Sequence, residues 1–489
     1  MKNVHCCACL TILLFLTLAC SNVEKAQTAP PASEPTTSEP VLAGVEAPVF
    51  AAEPATQETT MPYRLVVEET NKVLEPGVQS AAFAEHDGKW LFVGGRLQGF
   101  HRTASSSRTF PSAYSNEDFI VYDTASGQVY KAPVPAGYKV RLRSTNMEFF
   151  QDGDTLYTVG GYGSNCDDDA SGCYETFPYL TAINVPKVID AVVSDDTADI
   201  ASAIVSLADN RFRVTGGILG KIGDYFYLVF GQNYEKIYKD ARTGQYTEEV
   251  RRFKIHLENG QLSISDYQAF GDSTASGTAS QYHRRDLNVV ETVLNGQHSL
   301  TVLGGVFTAE DGGWPHPITI RPQSDGSVDI KVLTDFEQKA NYYECAHLQV
   351  YDPTEGVMYT TLFGGISNYF YNESGELVPG TRENHLPFTN IITTIIQDTS
   401  GIREHVQPFD QGLPALIGAN GEFVPTPGLA VYPGTHEILD YSKIAGDRVL
   451  VGHIVGGIHA TAAQTSGINP TFASEKIYAV YLVRENEDG

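Results

Sequence analysis

Apolar and aromatic runs that end in a pair of glycines recur along most of the chain. Each run follows a short polar turn, and one of the copies ends in Phe-Gly instead of Gly-Gly. The runs lie at residues 89–95, 155–161, 225–231, 299–305, 358–365 and 449–457. Runs of this length between turn residues are typical of buried β-strands, and glycine at a strand end indicates close approach of another backbone.

Each run is predicted to belong to a unit of four short strands. In the first unit, residues 119–123 and 128–131 form a further pair of strands. Such units cannot bury both faces alone, so several are expected to stack into a closed ring. The predicted fold is all-β: one β-propeller of six four-stranded blades over residues 63–489, or seven if residues 413–431 hold a degenerate blade. The last unit lacks an outer strand, and residues 63–69 are predicted to supply it and close the ring.

Two features of the first unit are typical of a repeat family. Gly94-Gly95 ends its second strand, and Tyr122-Asp123 lies in its third. In this respect the chain resembles the kelch-repeat family over about residues 63–485. The resemblance implies a propeller of kelch-like blades, although only the first unit carries both features.

The charge of the chain narrows the range of partners. Its 489 residues include 33 lysines and arginines against 59 aspartates and glutamates, which gives a formal net charge of −26. Phosphate backbones and anionic lipid surfaces would be repelled by this excess. Nucleic acid is therefore not expected as a partner, and contact with a membrane is expected only through a lipid anchor.

The amino terminus resembles the export signal of a bacterial lipoprotein. Lys2 precedes an apolar stretch at residues 10–18, and a small residue stands directly before Cys20. The resemblance implies that residues 1–19 are a cleaved signal peptide and that Cys20 becomes a lipidated amino terminus. Ser21 resembles the residue that directs such proteins to the outer membrane. The expected location is the bacterial outer membrane, on its periplasmic or its surface side.

Residues 20–62 differ in composition from the rest of the chain. They are rich in proline, alanine, threonine, serine and glutamate and contain little that could form a core. We expect a disordered tether that holds the folded domain away from the membrane.

Three cysteines lie beyond the signal. Cys166 and Cys173 stand seven residues apart in a polar loop, and they are predicted to form a disulfide in an oxidising compartment. The alternative is an acidic calcium loop built from the neighbouring aspartates. Cys345 would remain unpaired. Beyond Cys20, no CxxC, HExxH or HxH pattern marks a metal site, so none is predicted.

The connections between the predicted strands fall into two sets. Connections such as 86–88, 324–326 and 445–447 are short turns with glycine and aspartate. The loops after the glycine pairs are long, at 96–118, 162–179, 232–250, 306–317, 366–387 and 458–475. The two sets lie on opposite faces of a propeller, and long loops on a rigid scaffold usually carry function. A ligand is therefore expected on the long-loop face.

Aromatic, arginine and histidine residues of this face are the candidate ligand-binding residues. Such side chains suit stacking on sugars and pairing with carboxylates. They are Arg96, His101, Arg143, Tyr162, Tyr234, Tyr282, His283, Arg284, Trp314, His316, Tyr342, Tyr369 and His459. The alternative for each is packing between blades, since the chain contains 26 tyrosines and 23 phenylalanines.

The sequence does not name a reaction. Nucleophile-elbow, phosphate-loop and dinucleotide motifs are absent from it, so catalytic residues and cofactors stay unassigned. The first hypothesis is an envelope-anchored module that binds a glycan or a protein. The second is a carbohydrate-active enzyme, a polysaccharide lyase or a sugar mutarotase, with Tyr or His as acid and base. It requires Arg143, His283 and Arg284 to meet a tyrosine at the central tunnel. A third is a structural subunit of a larger envelope assembly.

Overall fold

Six four-stranded antiparallel sheets arranged in a ring form the folded part of the chain. The computed structural model describes residues 61–101, 109–167, 169–239, 243–380, 386–464 and 470–485. Each sheet is one blade of a β-propeller, which confirms the predicted fold class and the count of six. The predicted signal peptide, Cys20 and nearly all of the predicted tether lie outside the described residues.

Strand β1 (Tyr63–Val73) enters first and belongs to the last blade. The strands of blade 1, from the axis outward, are β2 (Ala82–His86), β3 (Lys89–Val93), β4 (Asp118–Asp123) and β5 (Val129–Pro133). Helix α1 (Ala136–Leu142) leads to blade 2. The elements of blade 2 are β6 (Thr145–Asp152), β7 (Thr155–Ser164), the short β8 (Tyr174–Thr176), β9 (Tyr179–Asn184), helix α2 (Val185–Ser194) and β10 (Ile204–Ala208).

Blades 3 and 4 follow the same order. Blade 3 has β11 (Ile218–Ile222), β12 (Tyr225–Val229), β15 (Glu249–Glu258) and β16 (Gln261–Gly271), with a loop hairpin of β13 (Gln232–Asn233) and β14 (Gln245–Tyr246). Blade 4 has β17 (Asn288–Leu294), β18 (Gln297–Leu303), β19 (Ile318–Pro322) and β20 (Val328–Val332).

Blades 5 and 6 carry hairpins in their long loops as well. Blade 5 has β21 (His347–Asp352), β22 (Val357–Ile366), β25 (Phe388–Asp398) and β26 (Gly401–Val406), with the hairpin β23 (Tyr369–Tyr371) and β24 (Leu377–Pro379). Blade 6 has β27 (Gly421–Pro425), β29 (Arg448–Gly456) and β32 (Lys476–Arg484), with the hairpin β30 (Ile458–Ala460) and β31 (Thr471–Ala473). A two-residue strand, β28 (Leu439–Asp440), pairs in parallel with β21.

The amino-terminal strand closes the ring, as predicted. β1 pairs antiparallel with β32, with Tyr63 opposite Arg484, and so forms the outer strand of blade 6. The alternating side chains of Tyr63, Leu65 and Val67 are buried in one core cluster with residues of blade 5. The two ends of the folded chain are thus joined through both hydrogen bonds and apolar packing.

The glycine pairs stand where backbones of neighbouring strands crowd. Gly304 has φ of +62°, and a Cβ there would lie 2.3 Å from the Tyr342 carbonyl oxygen. Blade 3 departs from this rule, because Phe230 occupies the equivalent position with φ of 54°. Its ring is fully buried and packs on Tyr282, with centroids 5.0 Å apart. This apolar contact accompanies a backbone conformation that non-glycine residues rarely adopt.

The seventh blade considered for residues 413–431 does not exist. Residues of that interval form β27, the innermost strand of blade 6. The expected tight turn at 445–447 is also wrong, because β27 and β29 are joined by the whole of 426–447.

This long connection crosses the end of the central channel on the tight-turn face. The His436 backbone N–H donates to Glu291 of blade 4 over 2.8 Å. The His436 ring meets Phe150 of blade 2 edge-on, with centroids 5.1 Å apart. Contacts with the innermost strands of blades 2, 4 and 5 place the segment across the axis.

A second exception to the short turns is helix α2, between the third and fourth strands of blade 2. The Asn184 side chain caps its first turn by accepting from the Lys187 N–H over 3.0 Å. Its apolar face, with Val188, Ile189 and Val192, is buried in a core cluster that includes blade 1. In the described part of the chain, neither helix has the length and apolar character that crossing a bilayer requires.

Candidate functional site

A cavity of about 470 Å³ opens on the propeller axis, on the face that carries the long loops. Every blade contributes to it. The connections between blades and the first two residues of β6 supply Gln79, Ser80, Thr145, Asn146, Thr215, Gly216, Arg285, Asp286, Tyr343 and Asn420. The long loops and the strand ends beside them supply Phe100, His101, Phe110, Tyr162, Gln232, Tyr234, Tyr238, Phe307, Asp311, Ile366, Leu386, Phe388 and Ile458. We call this cavity the axial pocket.

The floor of the axial pocket is a closed ring of main-chain hydrogen bonds. One residue from the start of each blade donates its N–H to the carbonyl of the equivalent residue in the preceding blade. The ring runs through Ser80, Asn420, Glu344, Asp286, Gly216, Asn146 and back to Ser80, with N···O distances between 2.6 and 3.5 Å. The ring fixes the six blades relative to one another at the point where a ligand would rest.

An aromatic wall stands on one side of the pocket, between blades 2 and 3. The Tyr162 hydroxyl donates to the Lys236 carbonyl over 2.6 Å and accepts from the Tyr238 N–H over 2.9 Å. The Tyr234 ring packs on both Tyr162 and Tyr238, with centroids 5.8 and 4.9 Å away. The imidazole of His101 meets the edge of the Tyr238 ring at 5.1 Å. These contacts hold the rings in fixed orientations.

An arginine and an aspartate adjacent in sequence are the main charges of the pocket. Arg285 Nη2 donates to the Tyr238 hydroxyl over 2.6 Å, and Arg285 Nε lies 3.5 Å from Asp286 Oδ2. The guanidinium also lies over the rings of Tyr238 and Phe307, at 5.3 and 5.2 Å. Burial raises the pKa of Asp286, while the charge of Arg285 and a hydrogen bond from Tyr343 lower it; the net pKa is raised.

Several glutamates lie near the floor, and burial dominates their titration. Burial raises the pKa of Glu148 to about 8, although it accepts from the Gly217 N–H over 2.7 Å. Burial and the charge of a neighbouring glutamate raise the pKa of Glu422 to about 8. Burial, together with the carboxyls of Glu422, Asp286 and Glu148, raises the pKa of Glu344 well above its usual range. In the described ranges, no three His, Cys, Asp or Glu side chains are placed to hold a metal ion.

Three of the thirteen predicted ligand-binding residues line the axial pocket: His101, Tyr162 and Tyr234. The remaining ten are placed elsewhere, for reasons that differ from residue to residue.

All three predicted arginines are buried and bonded within the protein. Arg96 donates to the Ser115 hydroxyl and to the Pro111 carbonyl, at 3.0 and 2.6 Å. Arg143 pairs with Glu117 at 2.7 Å and with Asp167 at 3.0 Å. Arg284 donates to main-chain carbonyls, including those of Gly304 and His316 at 2.9 and 2.8 Å. Each guanidinium therefore joins loop segments, and none of the three lines the axial pocket.

The aromatic and histidine residues from the connection before blade 4 and from its long loop serve packing. His283 stacks on Tyr246 with centroids 3.7 Å apart, and its Nδ1 lies 2.7 Å from Glu248. Trp314 donates from Nε1 to the His283 carbonyl over 2.8 Å. His316 donates from Nδ1 to the Phe336 carbonyl over 2.9 Å. Tyr282 packs on Phe230, as described above.

The last three predicted residues also lie outside the pocket. The Tyr342 hydroxyl donates to the Gln338 carbonyl, and its side chain is buried. Tyr369 belongs to hairpin strand β23, and His459 belongs to hairpin strand β30. Cys166 and Cys173 are joined by a disulfide in the loop of blade 2, and Cys345 is buried with a free thiol.

The residues that sequence reasoning missed lie mainly in the connections between blades. Gln79, Asn146, Arg285, Asp286 and Asn420 all stand just before or within the hydrogen-bonded ring. A signal was present, since each lies at the start of a blade, between three residues before its first strand and the second residue of that strand. Aligning the six units on those starts would have brought the positions together.

No family model matches the chain, and no curated protein matches it. Among the solved structures, one titled "Structure of YjhT" aligns with a TM-score of 0.46 and 12% sequence identity, over 85% of this chain and 97% of that chain. The six-bladed architecture is evident from the sheets themselves.

Proposed function

We propose that this chain is a binding protein of the bacterial envelope that takes a small sugar-like ligand in the axial pocket. The pocket supports this proposal because residues of all six blades converge on one cavity of about 470 Å³. That volume lies within the usual range of small-molecule sites. Its combination of aromatic faces with amide, hydroxyl and carboxyl side chains suits a ligand with an apolar ring face and many hydroxyls.

Anchoring by a lipid on Cys20 is part of the same proposal. It is supported by the apolar stretch and the small residue before Cys20, and by the composition of residues 20–62. We also retain membership of the kelch-repeat family as a proposal, supported by Gly94-Gly95 and Tyr122-Asp123. Labelling cells with a radioactive fatty acid tests the anchor: the chain should take up label, and Cys20→Ser should not. Label retained by the Cys20→Ser variant would contradict the assignment.

Ligand binding is tested by a panel of sugars and glycans measured with saturation-transfer NMR and calorimetry. Phe307→Ala removes a half-buried ring from the pocket wall, and Tyr343→Phe removes a hydroxyl beside Asp286. Each variant should weaken binding at least fivefold. The matched control is Tyr130→Phe, on the outer strand of blade 1. Binding that both pocket variants leave unchanged would show that the ligand site lies elsewhere, and capture of a protein instead of a glycan would refute the ligand class.

A carbohydrate-active enzyme is the second candidate, and one observation favours it. Asp286, with its raised pKa, and the Tyr343 hydroxyl hydrogen-bonded to it both line the pocket, so the carboxyl is placed to exchange a proton with a bound sugar. The residues that the enzyme hypothesis first relied on do not support it, because Arg143, His283 and Arg284 do not line the pocket. NMR of a bound sugar over hours tests this candidate. Conversion of the sugar that Asp286→Asn abolishes would establish catalysis, and an unchanged spectrum would exclude it.

A further inference from the structure

The two sides of the axial pocket differ in chemistry. Blades 5 and 6 stand across the axis from blades 2 and 3, because the floor ring passes through the six blades in order. Among the described residues, those that the long loops and adjacent strand ends of blades 5 and 6 bring to the pocket have hydrocarbon side chains: Ile366, Leu386, Phe388 and Ile458. The same parts of blades 2 and 3 bring side chains with a hydroxyl or an amide: Tyr162, Gln232, Tyr234 and Tyr238.

The hydrocarbon side chains form one continuous cluster that extends to the loops of blades 1 and 4. Its pocket-lining members are the buried Ile366, Phe388 and Ile458 and the half-buried Phe100, Phe307 and Leu386. The rings of Phe100 and Phe388 meet edge-on, with centroids 5.7 Å apart. The half-buried members keep part of their surface open, so they present hydrocarbon to a ligand. We call these six side chains the apolar side of the pocket.

The main chain of the apolar side does not compensate for the lack of polar side chains. The Phe388 N–H donates to the Ala463 carbonyl over 2.9 Å, and the Ile458 N–H donates to the Ala419 carbonyl over 2.8 Å. A sugar hydroxyl placed here would lose its hydration without gaining a hydrogen bond, and this costs free energy. A hydrocarbon group in the same place would gain free energy by leaving water. The apolar side therefore favours an apolar part of the ligand.

The size of the pocket leaves room for such a part. A cavity of about 470 Å³ lies in the range of sites that enclose drug-sized ligands. A single sugar ring held by the floor and by blades 2 and 3 would leave the apolar side in contact with water. A substituent that reaches from the sugar to the apolar side would cover Phe100, Phe307 and Leu386 and remove this contact.

We propose that the ligand is a sugar with an apolar substituent comparable in size to a phenyl ring. The sugar lies on the floor beside blades 2 and 3, and the substituent lies on the apolar side. This inference rests on the proposed function, namely that the pocket takes a sugar-like ligand. It adds the chemical class of that ligand, which is a glycoside with a hydrophobic aglycone and not a free sugar. The preference comes from the burial of hydrocarbon and needs no charge on the ligand.

The first test compares matched glycosides on the full chain. The probes are the methyl and the phenyl glycosides of glucose, galactose and mannose, with phenol as the probe that lacks a sugar. In calorimetry the phenyl glycoside should bind at least tenfold more tightly than the methyl glycoside in at least one configuration, with a more negative heat-capacity change. A smaller ratio in all three configurations would overturn the inference and leave the pocket function standing. No binding of any glycoside, or binding of phenol as tight as that of every phenyl glycoside, would refute the proposed function itself.

Two leucines of the same cluster provide the variant test. Leu386 and Leu416 are both half-buried members of it, but Leu386 lines the pocket and Leu416 does not. Leu386→Ala should lower the ratio of phenyl to methyl glycoside affinity at least threefold. Leu416→Ala removes the same hydrocarbon from outside the pocket lining and should change the ratio much less. Equal effects of the two substitutions would show that packing within the cluster, and not contact with the substituent, sets the preference, and this would overturn the proposal.

Discussion

The side chain of Gln407 ties the closing strand to the neighbouring blade. Gln407 follows β26, the outer strand of blade 5, and is buried. Its Oε1 accepts from the Leu65 N–H over 2.9 Å, and its Nε2 donates to the Leu65 carbonyl over 3.1 Å and to the Gln411 carbonyl over 2.9 Å. The free edge of β1 is therefore satisfied at Leu65 by one amide side chain.

Gln407→Ala should lower the free energy of unfolding by a measurable amount. Three hydrogen bonds of about 1 kcal/mol each are lost, and the Leu65 N–H and carbonyl remain buried without a partner, so we expect a destabilisation of about 3 kcal/mol. A domain of this size has an unfolding entropy near 0.9 kcal/mol/K, which converts that loss into a fall in Tm of about 3 °C. Differential scanning calorimetry at one scan rate measures it.

The control is Gln261→Ala, at an exposed position on the outer strand of blade 3. It should leave Tm within about 0.5 °C of the wild type, because a substitution at an exposed position usually changes stability little. If Gln407→Ala has the same Tm as the control, the pairing of β1 with β32 and the burial of Tyr63 and Leu65 are sufficient to close the ring. The contribution assigned to Gln407 would then be wrong.

Three further substitutions test other parts of the structure. Glu148 has a folded pKa of about 8, above its ordinary 4.5, so its favourable contribution is fully present below pH 4.5 and is lost as the pH rises through 8. The wild type should therefore lose up to about 5 kcal/mol of stability between pH 5 and 9, and Glu148→Gln should lose much less. Chemical denaturation at a series of pH values measures both. Parallel pH profiles of the variant and the wild type would contradict this. Gly304→Ala should destabilise by at least about 2 kcal/mol in the same assay, because its Cβ would clash with the Tyr342 carbonyl at a positive φ. Arg284→Ala should lower stability by about 3 kcal/mol without changing ligand affinity in calorimetry, and a selective loss of affinity would show that Arg284 contacts the ligand.

The fold could be predicted because its signals are local and repeated. The glycine pairs mark the end of the second strand in five blades, and the missing outer strand of the last unit pointed to β1 as its partner. Helix α2 could not be anticipated in the same way. Its residues 185–194 contain a proline and several β-branched side chains, and the helix depends on the Asn184 cap and on burial against blade 1.

The site was harder to predict than the fold, and Arg284 and Arg285 show why. The two arginines are adjacent in the chain, yet Arg284 donates to buried carbonyls while Arg285 lines the axial pocket. Composition and loop length do not distinguish the two arginines. Only the direction in which each side chain leaves the backbone separates their roles, and one sequence does not give that direction for a connecting segment.

The floor ring explains why selectivity in this propeller must come from side chains. Each of its six main-chain N–H groups is used to join adjacent blades, so none is left to fix a ligand. A ligand resting there meets instead the side chains that the ring residues project, such as Ser80, Asn146 and Asp286, and the aromatic wall around them. The same main-chain bonds would persist in a variant with different side chains at those positions. Ligand preference could therefore change without loss of the ring. Because Asn146 and Asn420 have positive φ, which aspartate tolerates, Asn146→Asp or Asn420→Asp should alter binding more than it alters Tm.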